Sequence, residues 1–70
     1  MLPPMPVDFN NRDEDGAVRL TTQGTLWWLK EYSLLLTVGQ SVRITDDELA
    51  ADAVVEARNG YWVAKIVRYL

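Results

Sequence analysis

The sequence predicts a mainly β fold, in which four or five antiparallel strands and one short helix form a small barrel. In the last third of the chain, two runs of alternating apolar residues flank Asn59-Gly60, and this dipeptide is a strong signal for a β-hairpin. Upstream, Val18 with Leu20 and Val42 with Ile44 repeat with the two-residue period of a half-buried strand. The whole chain, residues 1–70, is therefore predicted to be a single small domain.

The turn fixes the register of the predicted hairpin. A two-residue turn of type I′ needs positive φ at both central positions, which Asn59 and Gly60 tolerate best. If Arg58 and Tyr61 close it, the opposed pairs are Ala57 with Trp62, Glu56 with Val63, Val55 with Ala64, Val54 with Lys65 and Ala53 with Ile66. One face of the hairpin is then uncharged and is expected to face the core: Ala53, Val55, Ala57, Trp62, Ala64 and Ile66. On the other face, Glu56 and Lys65 lie diagonally within reach of each other.

Composition excludes several functional classes. The chain has no cysteine and no histidine, which excludes disulfides, thiol catalysis and the usual ligands of transition metals. Ten acidic residues outnumber seven basic ones, and the net charge of −3 opposes a general attraction to nucleic-acid phosphates. The first six residues have neither the basic nor the apolar region of a secretory signal. We therefore expect a cytoplasmic protein that is not an enzyme and has no cofactor.

Residues 1–14 are predicted to be an irregular or flexible N-terminal arm, because this segment contains all three prolines and few residues able to pack. Phe9 is expected to anchor the arm. The segment 11–16 matches the first half of a calcium-binding loop, in which alternate side-chain oxygens face one cation. The twelfth position of that loop is Thr22 instead of glutamate, and no helical pattern flanks it. We therefore interpret it as an acidic turn and predict no metal site.

The middle of the chain contains two predicted strands and their connections. Segment 17–21 alternates polar and apolar residues and is the first strand. An apolar connection over 34–38 and a turn at Gly39-Gln40 lead to the second strand, over 41–45. The acidic run 46–48 is the turn before the terminal hairpin, with Leu49 tucked beneath it. A catalytic carboxylate pair is disfavoured there, because no nucleophile, base or phosphate-binding glycine loop accompanies it.

A short helix is predicted over residues 25–32, between the first two main strands. Thr25 can cap it, since its hydroxyl can accept from a backbone N–H that the first turn leaves unpaired. On a helical wheel one side carries the residues expected to face the core: Leu26, Leu29 and Tyr32. Trp27 falls on the opposite side and Trp28 at the border. An extended conformation would also leave one indole outside, but the segment lacks β-branched residues, which favours the helix.

The order of strands and turns resembles that of SH3-like small barrels. This resemblance is carried by residues 36–44, the acidic loop, the strand and tight turn that follow, and Trp62-Val63-Ala64-Lys65-Ile66. The set Asp8-Phe9-Asn10, Gly16-x-Val18-Arg19-Leu20, Gly24-Thr25-Leu26 and Trp62-Val63-Ala64 resembles a group of short bacterial proteins without assigned activity. An acid would be expected at position 28 in such relatives, where it would complete a capping box with Thr25. Here position 28 is tryptophan. The resemblance implies a fold but no activity.

The residues of this chain are compatible with three functions. The favoured one is a non-enzymatic protein-protein interaction module or self-associating homodimer, in which Trp27, Trp28 and Tyr32 form the partner-binding site. Alternatively, both tryptophans only complete an undersized core. A nucleic-acid reader would instead use a local arginine and aromatic face, with Arg19, Arg43, Arg58 and Arg68. Membrane attachment is disfavoured, because the apolar segments around residues 26–36 are interrupted by charge and too short to span a bilayer.

Overall fold

The computed structural model describes residues 2–70 and contains one five-stranded mixed sheet with one helix. The elements are β1 (Met5–Pro6), β2 (Val18–Arg19), α1 (Gln23–Glu31), β3 (Ser41–Thr45), β4 (Ala50–Arg58) and β5 (Tyr61–Tyr69). The strand order is β1-β3-β4-β5-β2, and the sheet curls into a half-barrel. The predicted mainly β fold, with one short helix between the first two main strands, is confirmed.

The predicted register of the terminal hairpin is confirmed over all five pairs, from Ala57 opposite Trp62 to Ala53 opposite Ile66. Beyond Ala53 the register shifts, so Asp52 lies opposite Arg68. The predicted I′ turn is wrong. Gly60 has a φ of 92°, but Asn59 is not among the residues with positive φ. Positive φ at the second central position alone is the arrangement of a type II turn.

The core lies on the concave side of the sheet. Its fully or almost fully buried side chains come from every strand, the helix and the N-terminal segment: Met5, Phe9, Val18, Leu20, Trp28, Ile44, Ala51, Ala53, Val55 and Ala64. Trp62 and Ile66 face the core but are only half-buried at its margin. Ala57, also predicted to face the core, is exposed, because it lies next to the turn, where the sheet ends. The predicted Glu56 to Lys65 ion pair forms at 3.7 Å.

The helix begins two residues earlier than predicted. Thr22, not Thr25, is the N-cap: its backbone is extended, and its hydroxyl oxygen accepts from the backbone N–H of Thr25 at 3.4 Å. Thr25 is itself fully buried, and its hydroxyl donates to the carbonyl of Pro6 at 2.5 Å. This bond fixes the rotation of α1 against β1. That rotation turns Thr25 and Trp28 inward and leaves Leu26, which was expected to face the core, 53% exposed.

The N-terminal arm, described from Leu2 onward, contains more structure than the irregular arm expected for residues 1–14. Met5 pairs in parallel with Ile44 in β3. The sequence pattern did not predict this strand, because it is only two residues long and lies among prolines. Val7 and Phe9 are buried as well, so alternate side chains of the arm enter the core.

One strand and one turn of the middle region differ from expectation. The first predicted strand, 17–21, is shorter than expected and spans only Val18–Arg19. The acidic turn is built by Asp46, whose carboxylate accepts from the backbone N–H groups of Glu48 and Leu49 at 2.8 and 2.7 Å. Leu49 is 45% exposed rather than tucked beneath the turn. Within residues 2–70, no helix has the length and apolar character needed to cross a membrane.

Candidate interaction surfaces

The outward face of α1 is the first candidate surface. With 3.6 residues per turn, the exposed positions form one stripe, called here the Trp27 face: Gln23, Gly24, Leu26, Trp27, Lys30 and Glu31. Trp27 is 61% exposed, the greatest exposure of the tryptophans. An exposed indole beside an exposed leucine forms an apolar patch, and such patches mark candidate binding surfaces because burying them is strongly favourable.

Trp28 and Tyr32 do not belong to the Trp27 face. Trp28 is only 5% exposed and packs in the core, while its ring lies 5.1 Å from that of Tyr32 at a tilt of 51°. The structure therefore brings Trp28 and Tyr32 together and separates Trp27 from both. The prediction that one indole is buried and the other exposed is confirmed. Trp28 packs beneath the Trp27 face, and no acceptor among residues 2–70 engages its Nε1–H.

The helix ends in a Schellman motif that aligns the following loop. Ser33 adopts a left-handed conformation with a φ of 50°, and its N–H bonds to the carbonyl of Lys30 at 3.2 Å. The N–H of Leu34 bonds to the carbonyl of Leu29 at 3.0 Å. Both leucines are partly buried against the core. The next residue, Leu35, is 86% exposed, so a further apolar side chain reaches solvent just beyond the helix.

The convex face of the sheet carries a network that fastens the arm. Both carboxylate oxygens of Asp13 are occupied: Arg19 Nε donates to one at 2.5 Å and Arg58 Nε to the other at 3.3 Å. Arg58 also pairs with Asp15 and, at 3.3 Å, with Glu56. The carboxylates of the suspected calcium loop therefore point at guanidinium groups. Within residues 2–70, no group of three potential metal ligands is assembled.

The network keeps Asp13 ionised. The hydrogen bond from Arg19 is the largest cause that lowers the pKa of the Asp13 carboxyl below its ordinary value of 3.8. Partial burial opposes this shift, and hydrogen bonds from Tyr61 and Arg58 reinforce it. The same contact raises the pKa of Arg19. Val63 lies on this face, opposite Arg19, and is fully buried. An apolar side chain is thus buried on the same outer face of the sheet that carries this network.

A second carboxylate organises the other end of the convex face. Asp52 lies between Arg43 of β3 and Arg68 of β5. It accepts from the Nε of each arginine at 3.0 Å, one on each oxygen. Hydrogen bonds from Arg43 and then Arg68 lower the pKa of the Asp52 carboxyl. All four arginines considered for nucleic-acid binding are therefore paired with carboxylates, and sequence reasoning did not foresee these pairings because they depend on strand order.

Comparisons with known proteins identify no family for this chain. No family model matches the chain, and neither the curated proteins nor the solved structures contain a match. The proposals below therefore rest on the geometry of the described residues.

Proposed function

We propose that this chain is a non-enzymatic interaction module that associates with a second copy of itself through the Trp27 face. The observation that carries this proposal is the 61% exposure of Trp27 on a regular helix, beside Leu26 at 53%. The fold is already complete beneath them, since Trp28 fills the core side of α1. These two side chains are therefore free to contribute to binding rather than to folding.

The charge of the Trp27 face supports a second copy as the partner. The whole chain has a net charge of −3, so two copies repel each other on average. The Trp27 face carries one lysine and one glutamate, Lys30 and Glu31, and neither forms an ion pair within the described part of the chain. Because this stripe has no net charge, two copies can meet there without adding like-charge repulsion.

The spacing of the face also suits two-fold symmetry. Positions 26, 27, 30 and 31 are symmetric about a point midway between 28 and 29. Two antiparallel copies of α1 crossing at that point place Trp27 opposite the partner's Lys30, twice. An ammonium over an indole face contributes on the order of 0.5–1 kcal/mol at an exposed site. Leu26 then packs on the aliphatic part of the partner's Glu31.

The contact is small, so the dimer is expected to be weak. Light scattering after size exclusion, from about 10 µM to about 1 mM, should show the mass rising from that of one 8.0 kDa chain toward twice that value. Trp27→Ser should stay monomeric with an unchanged circular-dichroism spectrum. Lys30→Glu should weaken the dimer, whereas Lys30→Arg should keep it. Val67→Ser is the control, since Val67 is 65% exposed on β5 rather than on α1.

Two results would refute self-association. One is a wild-type chain that stays monomeric across the series, and the other is a Trp27→Ser variant that dimerises as well as the wild type. If the wild type is monomeric but a different protein is retained by it and not by Trp27→Ser, the module binds a heterologous partner through the same face.

The nucleic-acid alternative is less well supported. Arg19 and Arg58 are occupied by the arm, and Arg43 and Arg68 share Asp52. A carboxylate partner cancels part of the positive charge of a guanidinium group, so these arginines attract phosphates less strongly than free arginines would. We also propose a bacterial origin and an SH3-like relationship, which the resemblance of the sequence supports. A cytoplasmic location is proposed as well, because the sequence contains no cysteine.

A further inference from the structure

A groove of about 650 Å³ lies between the N-terminal residues and the convex face of strands β3 to β5. Its apolar lining includes Leu2, Val54 and Val67, and its charged lining is the Arg43, Asp52 and Arg68 group. A concave site of this volume, with an apolar floor and few polar groups, has the composition of a small-molecule site. It is separate from the Trp27 face, because α1 packs on the core side of the sheet.

The charged group at the groove has unused hydrogen-bonding capacity. Arg43 and Arg68 each use only Nε to reach Asp52. Among the residues that the structure describes, no acceptor engages the terminal Nη groups of either arginine. Both side chains remain over half exposed, at 53% and 69%. Asp52 thus holds two guanidinium groups side by side while leaving their outer nitrogens available.

The local charge selects the ligand. Two guanidinium groups and one carboxylate leave a single net positive charge at the groove, on a chain whose net charge is −3. A monoanion neutralises that charge, whereas a dianion such as a phosphate monoester would leave an uncompensated negative charge near Asp52. A carboxylate also matches the planar fork of arginine, because its two oxygens accept two parallel hydrogen bonds.

The apolar lining determines the rest of the ligand. Val67 is 65% exposed and Leu2 is 45% exposed, and both border the groove. A hydrocarbon tail laid over these side chains would remove apolar surface from water on both molecules, which is worth about 0.8 kcal/mol per buried methylene. A carboxylate without a tail would gain none of this.

We propose that this groove binds a small monocarboxylate that carries an aliphatic or aromatic tail. The carboxylate bonds to the Nη groups of Arg43 and Arg68, and the tail covers Val54, Val67 and Leu2. Asp52 is a positioning residue, since it orients both guanidinium groups without touching the ligand. The bulge that places Asp52 opposite Arg68 rather than Val67 is what brings the second arginine into line.

The test is a titration with octanoate followed by amide chemical shifts of the full chain. Saturable shifts confined to Leu2 and residues 41–43, 52–54 and 66–68 are expected. Acetate, which lacks the tail, and octanol, which lacks the charge, should each bind at least about tenfold more weakly. The double variant Arg43→Gln with Arg68→Gln should abolish saturation, and Val67→Ser should weaken it several-fold. Lys65→Gln is the matched control, since it removes one positive charge from the same face of β5 at a half-exposed residue that does not line the groove.

Each contrary outcome overturns the proposal. Octanol binding as tightly as octanoate would show a merely apolar site, and acetate binding as tightly would show a bare anion site. Shifts centred on residues 26–31 would place the ligand on the Trp27 face instead. An unchanged affinity in the double arginine variant, with its fold verified by circular dichroism, would remove the two arginines from any binding role.

Discussion

The hydroxyl of Tyr61 shares its proton between the two carboxylate oxygens of Asp13, at 3.0 and 2.8 Å, across 48 positions of the sequence. Tyr61 is the first residue after the hairpin turn, and Asp13 belongs to the N-terminal arm. This bond, with the two arginines on the same carboxylate, connects the beginning of the chain to the tip of its last hairpin. It explains how an acidic, proline-containing arm can be ordered.

Acidification should release the arm. The folded-state pKa of Asp13 is lowered, so its ionised form stabilises the fold above the ordinary pKa of 3.8, and the stabilisation disappears as pH falls through the lower folded value. Urea unfolding of Asp13→Asn should show a lower midpoint than the wild type at pH 7, and the two midpoints should converge in strong acid. Glu14→Gln is the control, because Glu14 is exposed. A difference between Asp13→Asn and the wild type that is independent of pH would contradict this role.

Replacing each of the three tryptophans with alanine should lower the stability of the fold by a different amount. Trp28→Ala removes an indole that is 5% exposed and should cost about 3–5 kcal/mol, enough to unfold a domain of this size. Trp62→Ala, at the margin of the core, should cost roughly 2 kcal/mol, about half of a full burial. Trp27→Ala should change stability by less than about 0.5 kcal/mol. Urea midpoints measure the order, and a Trp27 variant as unstable as the Trp28 variant would show that both indoles serve the core.

Two substitutions test the conformation of the hairpin turn. In a type II turn proline is favoured at the first central position, so Asn59→Pro should be neutral or should stabilise by about 0.4–1 kcal/mol. Gly60→Ala should destabilise by about 1–2 kcal/mol, because Gly60 has a φ of 92°. If the turn were type I′, proline at position 59 would be incompatible with the required positive φ, and Asn59→Pro would destabilise strongly.

The end of α1 offers a stabilising substitution. Ser33 has a φ of 50° at the position where Schellman motifs favour glycine. Ser33→Gly should therefore raise the free energy of unfolding by about 0.5–1 kcal/mol, since it removes the steric cost of a side chain there. Thermal melting measures the gain. Thr37→Gly, in the loop that follows, is the comparison, and an equal gain there would show that the effect is not specific to the left-handed position.

The contact between α1 and the arm can be tested at one hydroxyl. Thr25 donates to the Pro6 carbonyl, so the hydroxyl of Thr22, 2.8 Å away, is the donor to Thr25 Oγ1. Thr25→Val keeps the shape but leaves the carbonyl unpaired, which should cost about 1–3 kcal/mol. Thr25→Ser keeps the hydroxyl and should be the less harmful of the two, because only a methyl group is lost. Urea midpoints in the reverse order would show that packing, rather than this hydrogen bond, holds α1 in place.

Local patterns in the sequence determined the hairpin and its register, because pairing in a tight hairpin depends only on the turn length and the alternation of neighbouring residues. The same holds for β3, whose bounds, Ser41–Thr45, coincide with the predicted segment. The exposure of one tryptophan of the adjacent pair also followed from local geometry, since neighbouring helical positions point 100° apart.

Only the tertiary structure decided which tryptophan is buried, where the helix begins and how the arginines are used. The rotation of α1 is fixed by the hydrogen bond from Thr25 to Pro6, and the positions of Asp13 and Asp52 relative to their arginines depend on strand order and on a bulge. These contacts join residues that are distant in sequence. Periodicity and turn propensity describe only near neighbours, so the helix face that meets solvent and the charge left at the groove could be determined only once the chain was folded.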